Sequence, residues 1–244
     1  SQSTTEGSSG IAGVVSSNDG AKKYLFDENG YEPTQIIEKG LMGAVFYYQG
    51  TSVYLSDDKL EVENDVNEEG KDYTKMQHHW DESYGYFGAP VELSSSNVND
   101  LSLRFYAKYI KKAHAGGLGT VDALMQDGYT KGRAAIDNKD YETRDEAIVT
   151  IRDEWEIVLV TTGLHYINAA IGNFADDALR NHELSEAYAF IRSLKYNSEK
   201  KITDGQVDAV LAKLGANFYE TSTTDLDAAR TELATVYGLT ATDF

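Results

Sequence analysis

Five histidines stand among forty Asp and Glu residues, and one segment brings the two types together: Met76-Gln77-His78-His79-Trp80-Asp81-Glu82, running on into Tyr84, Tyr86 and Phe87-Gly88. On a helix, His78 and Glu82 stand at i, i+4 and His79 and Glu82 at i, i+3. Either pair sets an imidazole nitrogen beside a carboxylate oxygen, donors suited to a borderline transition metal such as iron or zinc. Two ligands do not complete a site. The alternative is that Glu82 fixes one histidine by a hydrogen bond while Trp80, Tyr84 and Phe87 pack inward. His165, in the apolar run Thr161-Thr-Gly-Leu-His165-Tyr-Ile-Asn168, could join such a site if its helix packs at the level of His78 and His79, with Asn168 nearly one turn further on. Otherwise it is a hydrogen-bonded core histidine.

His182-Glu183-Leu-Ser-Glu186 begins like H-E-x-x-H, whose two histidines one turn apart hold zinc, but Glu186 occupies the second position. A polar helix face with His182 paired to Glu186 is the plainer account. The candidate metal ligands are therefore His78, His79, Glu82 and His165. Trp80, Asp81, Asn168, His182 and Glu186 are candidates for ligand contact, and no catalytic residue is nominated. The paired Glu-x-x-His of di-iron bundles, the phosphate-binding loop, the twelve-residue calcium loop and the G-x-S-x-G serine motif do not occur.

Composition narrows the field further. Lys+Arg 22 against Asp+Glu 40 leaves a net charge of −18, which repels nucleic-acid phosphates and anionic lipid. The absence of cysteine removes disulfides, thiolate metal sites and thiol nucleophiles. No apolar run is long enough to predict a membrane-crossing helix.

The elements that must hold these residues are helical, because from Glu32 onward apolar residues recur at three- and four-residue spacing. Pro33 opens the first helix, with Ile36, Ile37, Leu41, Val45 and Tyr48 as its apolar stripe. The His78 segment lies on a second, about Tyr73–Phe87, stopped by Gly88-Ala-Pro90. Helices follow near Asp100–His114 and Val121–Ile136. The longest is read as starting at a Thr143-Arg-Asp-Glu146 capping box and reaching Asn173. Asp177–Tyr196, Thr203–Leu214 with a Thr203…Gln206 box, and Thr224–Tyr237 complete an all-α multi-helix bundle of about eight helices. Asp57–Asp72 reads as an exposed acidic loop. Residues 1–20, rich in Ser and Gly, read as a flexible linker, and 21–244 as a single all-helical domain, with Asn138–Asp140 the natural boundary if there are two.

Ile36–Gln49, Lys75–Val91 (KMQHHWDESYGYFGAPV), Lys131–Ile136, Arg152–Glu156 with His165–Asn168, and Asp176–Asn197 resemble the bacterial family catalogued as domain of unknown function 4856. The resemblance covers nearly everything after residue 20. It implies an exported protein, periplasmic or at the cell surface and lipid-anchored at the outer membrane, in keeping with a Ser/Gly tether. More remotely, the chain is similar to imelysin-like proteins, helical bundles linked to iron acquisition. Their G-x-H-x-x-E motif falls on Gln77-His78-His79-Trp80-Asp81-Glu82, with Gln77 in place of the glycine. The expectation is a membrane-tethered binding protein that takes up a metal ion or an iron-carrying ligand. The alternatives are a non-catalytic interaction module of an outer-membrane assembly and, last, a metallopeptidase.

Overall fold

The computed structural model describes residues 4–100 and 102–244. It is all-helical apart from one hairpin. In chain order come β1 (Gly13–Ser16), β2 (Lys23–Phe26), α1 (Pro33–Leu41) continuing into a π-helix (Met42–Val53), α2 (Asp57–Leu60), α3 (Lys75–Phe87), α4 (Ile110–Ala115), α5 (Val121–Asn138), α6 (Tyr141–Gly172), α7 (Asp177–Ser193), α8 (Asp204–Leu214) and α9 (Thr223–Tyr237). The described residues group into two compact units. The first is formed by residues up to 41, 160–195 and 202–244, and the second by 42–159 and 196–201. The expected boundary at Asn138–Asp140 is therefore corrected, since the divisions after Leu41 and Leu159 fall inside continuous helix.

The linker expected over residues 1–20 is also corrected, apart from Ser1–Ser3, which lie outside the described residues. Gly13 to Ser16 pair antiparallel with Phe26 to Lys23. The turn between them is closed by Ser17, whose Oγ accepts from the Lys22 amide at 2.9 Å, and by Gly20 at φ 71°. Strands of four residues give too short an alternation to be read against a Ser/Gly background. The hairpin tip is anchored in its own unit by the Asn18 amide, which donates to Asp176 Oδ2 at 2.7 Å. Asp176 also caps α7 by accepting from the amides of Ala178 and Leu179.

Local chemistry explains most helix limits. Thr74 and Gln77 form a complete capping box at the start of α3, and Gly88 ends it at φ 87°. Thr203 and Gln206 form the expected box on α8. On α6 the expected Thr143 box is replaced by Asp140, which accepts from the Thr143 amide at 3.2 Å, so the helix starts earlier than its hydroxyl signal suggests. The helix expected over Asp100–His114 includes Leu101, which lies outside the described residues, and helical structure there begins only at Ala107.

α1 is inverted relative to its sequence pattern. Ile37 and Leu41 are 60% and 56% exposed, whereas Lys39 and the preceding Glu32 are buried. Ion pairs with α7 hold those charges inside, and the apolar side of α1 is turned outward as a result. In the second unit, Trp155 and Trp80 anchor the core. Gly50 and Gly132 make room for them: a Cβ on Gly50 would sit 2.3 Å from the Trp155 ring, and one on Gly132 2.1 Å from the Trp80 ring.

Candidate functional site

α3 of the second unit distributes the HHWDE segment over three faces. The inward face carries Met76, His79, Trp80, Ser83 and Phe87, all buried. His79 Nδ1–H donates to the Lys59 carbonyl at 2.5 Å, which fixes its tautomer. Trp80 Nε1–H donates to the Tyr129 carbonyl at 3.0 Å, and Ser83 Oγ donates to the Gly50 carbonyl at 2.8 Å. These engagements make His79 and most of Trp80 structural. The proposed His79–Glu82 pair is not formed, because the two side chains leave the helix on different faces.

One flank of α3 repeats at four-residue spacing: His78, Glu82, Tyr86. His78 Nε2 lies 3.5 Å from Glu82 Oε1, with both side chains more than a third exposed or close to it. Around them is a chain of half-buried rings. Tyr73 stacks on His78 at 5.2 Å between centres, Tyr54 lies 5.5 Å from Tyr86, Tyr86 lies 6.2 Å from Phe46, and Phe46 stacks on Phe105 at 4.0 Å. Lys59 Nζ sits 5.3 Å above the Tyr54 ring. The Tyr54 hydroxyl is pushed up to about 12, first by burial and then by the Glu82 carboxylate it faces. Phe105 is held at φ 45°, a left-handed conformation that an aromatic residue adopts only under constraint. The constraint is the Arg104 amide, which donates to the Gly88 carbonyl at 2.9 Å and ties this loop to the end of α3.

The other flank faces α5 across a cleft of about 560 Å³. Trp80, Tyr84 and Tyr129 form its apolar wall, and Asp81, Arg133 and Asp137 its polar edge. Arg133 Nε donates to Asp81 at 3.2 Å, and Arg133 also pairs with Asp137, which accepts from Gln77 Nε2 at 2.6 Å. Asp81 has its pKa raised, burial outweighing the attraction of Arg133. Gln126 braces the remaining side: its Oε1 accepts from the Leu93 amide at 2.8 Å and from the Tyr84 hydroxyl at 3.1 Å.

His182 and Glu186 lie in the first unit, in a different setting. His182 Nδ1–H donates to Glu32 Oε2 at 2.6 Å, its Nε2 is 3.9 Å from Glu186 Oε2, and Tyr24 stacks on its ring at 4.3 Å. Lys39 Nζ is 3.4 Å from Glu186 Oε1 and 2.8 Å from Glu38. Ser185 Oγ accepts from the Glu32 amide at 2.8 Å. Burial depresses the His182 pKa, but the Glu32 hydrogen bond and the surrounding carboxylates outweigh it, and the net direction is upward. His182, Glu32, Glu186 and Lys39 thus form a closed charge network that fixes α1 and β2 to α7.

His165 also belongs to the first unit, with its ring 5.4 Å from Tyr166. Asn168 holds the chain end: its Nδ2 donates to the carbonyls of Ala241 and Phe244 at 2.8 and 2.6 Å, and its Oδ1 accepts from Arg230 at 2.6 Å. Of the expected metal set, His78, His79 and Glu82 lie in the second unit and His165 in the first, and among the described residues no group of three or more His, Asp or Glu is placed to hold a metal ion. Sequence reasoning missed Glu32, Lys39 and Tyr24 around His182, and Tyr54, Phe46 and Phe105 around Glu82. The Tyr count of 17 is the one signal that could have drawn attention to the second group.

A family model described as a domain of unknown function, DUF4856, matches residues 1–240. No curated protein and no solved structure matches the chain.

Proposed function

The chain belongs to the DUF4856 family, and from that premise we propose that it is a non-catalytic binding protein that holds a neutral oligosaccharide along the aromatic flank of α3. The observation that carries this reading is the row of half-exposed rings from Tyr73 and His78 through Tyr54 and Tyr86 to Phe46 and Phe105, with the Glu82 carboxylate set among them. A sugar ring presents an apolar C–H face, which packs on an aromatic face, and a rim of hydroxyls, which donate to a carboxylate or a phenol oxygen. Nucleic-acid bases also stack on such platforms, but a chain of net charge −18 repels the phosphates that come with them. Proline-rich peptides dock in aromatic grooves too, yet proline has no N–H to give Glu82.

Calorimetric titration with neutral hexasaccharides of glucose, xylose and mannose tests the proposal. Binding of one of them is expected, weakened about tenfold by Tyr86→Ala or Phe105→Ala, which corresponds to about 1.4 kcal/mol. Absence of binding at millimolar sugar would remove it.

Metal uptake is the second reading, favoured by the exposed His78–Glu82 pair, by the acidic charge and by the imelysin-like resemblance. A chelator-treated sample melted with ferrous, ferric, zinc or calcium ions separates the two: an ion that raises the melting point in wild type and not in His78→Ala supports uptake. Export and lipid anchoring at the outer membrane are part of both readings, and mass analysis of the native N-terminus tests them.

A further inference from the structure

The α3/α5 cleft lies on the opposite flank of α3 from the aromatic row, and its chemistry differs. Its volume, about 560 Å³, is in the range of small-ligand sites. Trp80, Tyr84 and Tyr129 line its apolar wall, Trp80 and Tyr129 themselves almost wholly buried, and Val91, 86% exposed, belongs to the same lining. Gly132 allows the Trp80 indole to lie flat against α5, since any side chain there would occupy the ring's place. The wall offers only carbon surface, because the Trp80 N–H is engaged by the Tyr129 carbonyl and the Tyr84 hydroxyl by Gln126 and the Pro90 carbonyl.

The edge is electrostatically unbalanced. Asp81 and Asp137 share the single guanidinium of Arg133, leaving one net negative charge beside an apolar wall. Asp137 is doubly engaged, by Arg133 and by Gln77, whereas Asp81 has one contact at 3.2 Å and a side chain that is 56% exposed. A carboxylate beside an apolar wall, in a chain already far from neutral, attracts a cation whose body is apolar: the charge meets Asp81, and the body covers Tyr84 and Val91.

We infer that this cleft binds a small organic cation, a primary amine carried on an aryl or alkyl body, with Asp81 as its counter-ion. The inference does not depend on the oligosaccharide reading, which uses the other flank of the helix.

The probes are 2-phenylethylamine and its neutral counterpart 2-phenylethanol, each titrated at millimolar concentration into full-length protein labelled for amide NMR, with potassium as the bare cation. The amine is expected to shift amides of α3 and α5 and to bind at least tenfold more tightly than the alcohol. Asp81→Asn is expected to erase that preference. Glu82→Gln, on the opposite flank, should leave it unchanged, whereas it should weaken any oligosaccharide. Equal binding of amine and alcohol, an amine preference that survives Asp81→Asn, an equal response to potassium, or no response to the amine would each overturn the inference. Retention of the wild-type amide spectrum by Asp81→Asn shows that the variant is folded.

Discussion

Two helical segments of this chain are spelled alike, His78-His79-Trp80-Asp81-Glu82 on α3 and His182-Glu183-Leu184-Ser185-Glu186 on α7, yet they end as opposite kinds of structure. On α3 the i, i+4 pair is partly exposed at 3.5 Å, and the polar residues stand on two flanks of the helix. On α7 the i, i+4 pair is secondary at 3.9 Å, and the strong partner, Glu32 at 2.6 Å, arrives from a segment 150 positions earlier in sequence. Helical spacing brings two side chains onto one face in both cases. Whether that face becomes a binding surface or a joint is decided by what packs over it.

The contrast can be broken most forcefully at Glu32. Glu32→Ala removes the buried partner of His182 and exposes Lys39 and Glu186 to imbalance, and a loss of about 3 kcal/mol is expected by urea unfolding, the range for breaking a buried pair. A loss no larger than that of an exposed pair would mean the network is not a joint. Gly132→Ala comes next, at about 2 kcal/mol, because its methyl would collide with the Trp80 ring on the inward face of α3. If the variant is as stable as wild type, the core beneath the two open flanks is looser than its packing indicates.

The pH dependence of α7 is a subtler effect. The folded-state pKa of His182 is raised, so its contribution to stability is complete below the unfolded value of about 6.5 and is lost as pH rises through the folded value. The melting point should therefore fall as pH rises above about 6.5, and His182→Gln should flatten that part of the profile. The smallest change is expected for Glu82→Gln, within about 0.5 kcal/mol, as befits an exposed pair. An effect rivaling that of Glu32→Ala would erase the difference between the two segments.

Local signals were well preserved from sequence to structure. The α3 segment, its glycine stop, the Thr203–Gln206 box and the α7 helix all follow from residues within a few positions of each other. What could not be read locally was set by distant partners. Of the expected stripe Ile36, Ile37, Leu41, Val45 and Tyr48, Ile37 and Leu41 on α1 point outward because Glu32 and Lys39 are drawn to α7, a pull that no window centred on α1 contains. The hairpin was hidden by strand shortness. The aromatic flank was hidden because Phe46 and Tyr54 come from the π-helix and its end and Phe105 from a distant loop, and only Tyr86 and His78 lie on α3. Asp81 and Trp80 carry a signal in the sequence, but the cleft they line needs α5, whose contribution of Gly132 and Arg133 carries no motif.

The first unit is assembled from the beginning, the middle and the end of the chain. During synthesis at about 5–20 residues per second, Glu32 and Lys39 wait roughly seven to thirty seconds before His182 and Glu186 exist to receive them. Over that interval Ile37 and Leu41 share an unpaired segment with charges that have no counter-ions. Closing so wide a loop is also entropically costly, which slows folding relative to a bundle of sequential hairpins. The same charge network that locks the finished protein thus makes the nascent chain late to fold, a window in which a protease or a chaperone meets the α1 segment first.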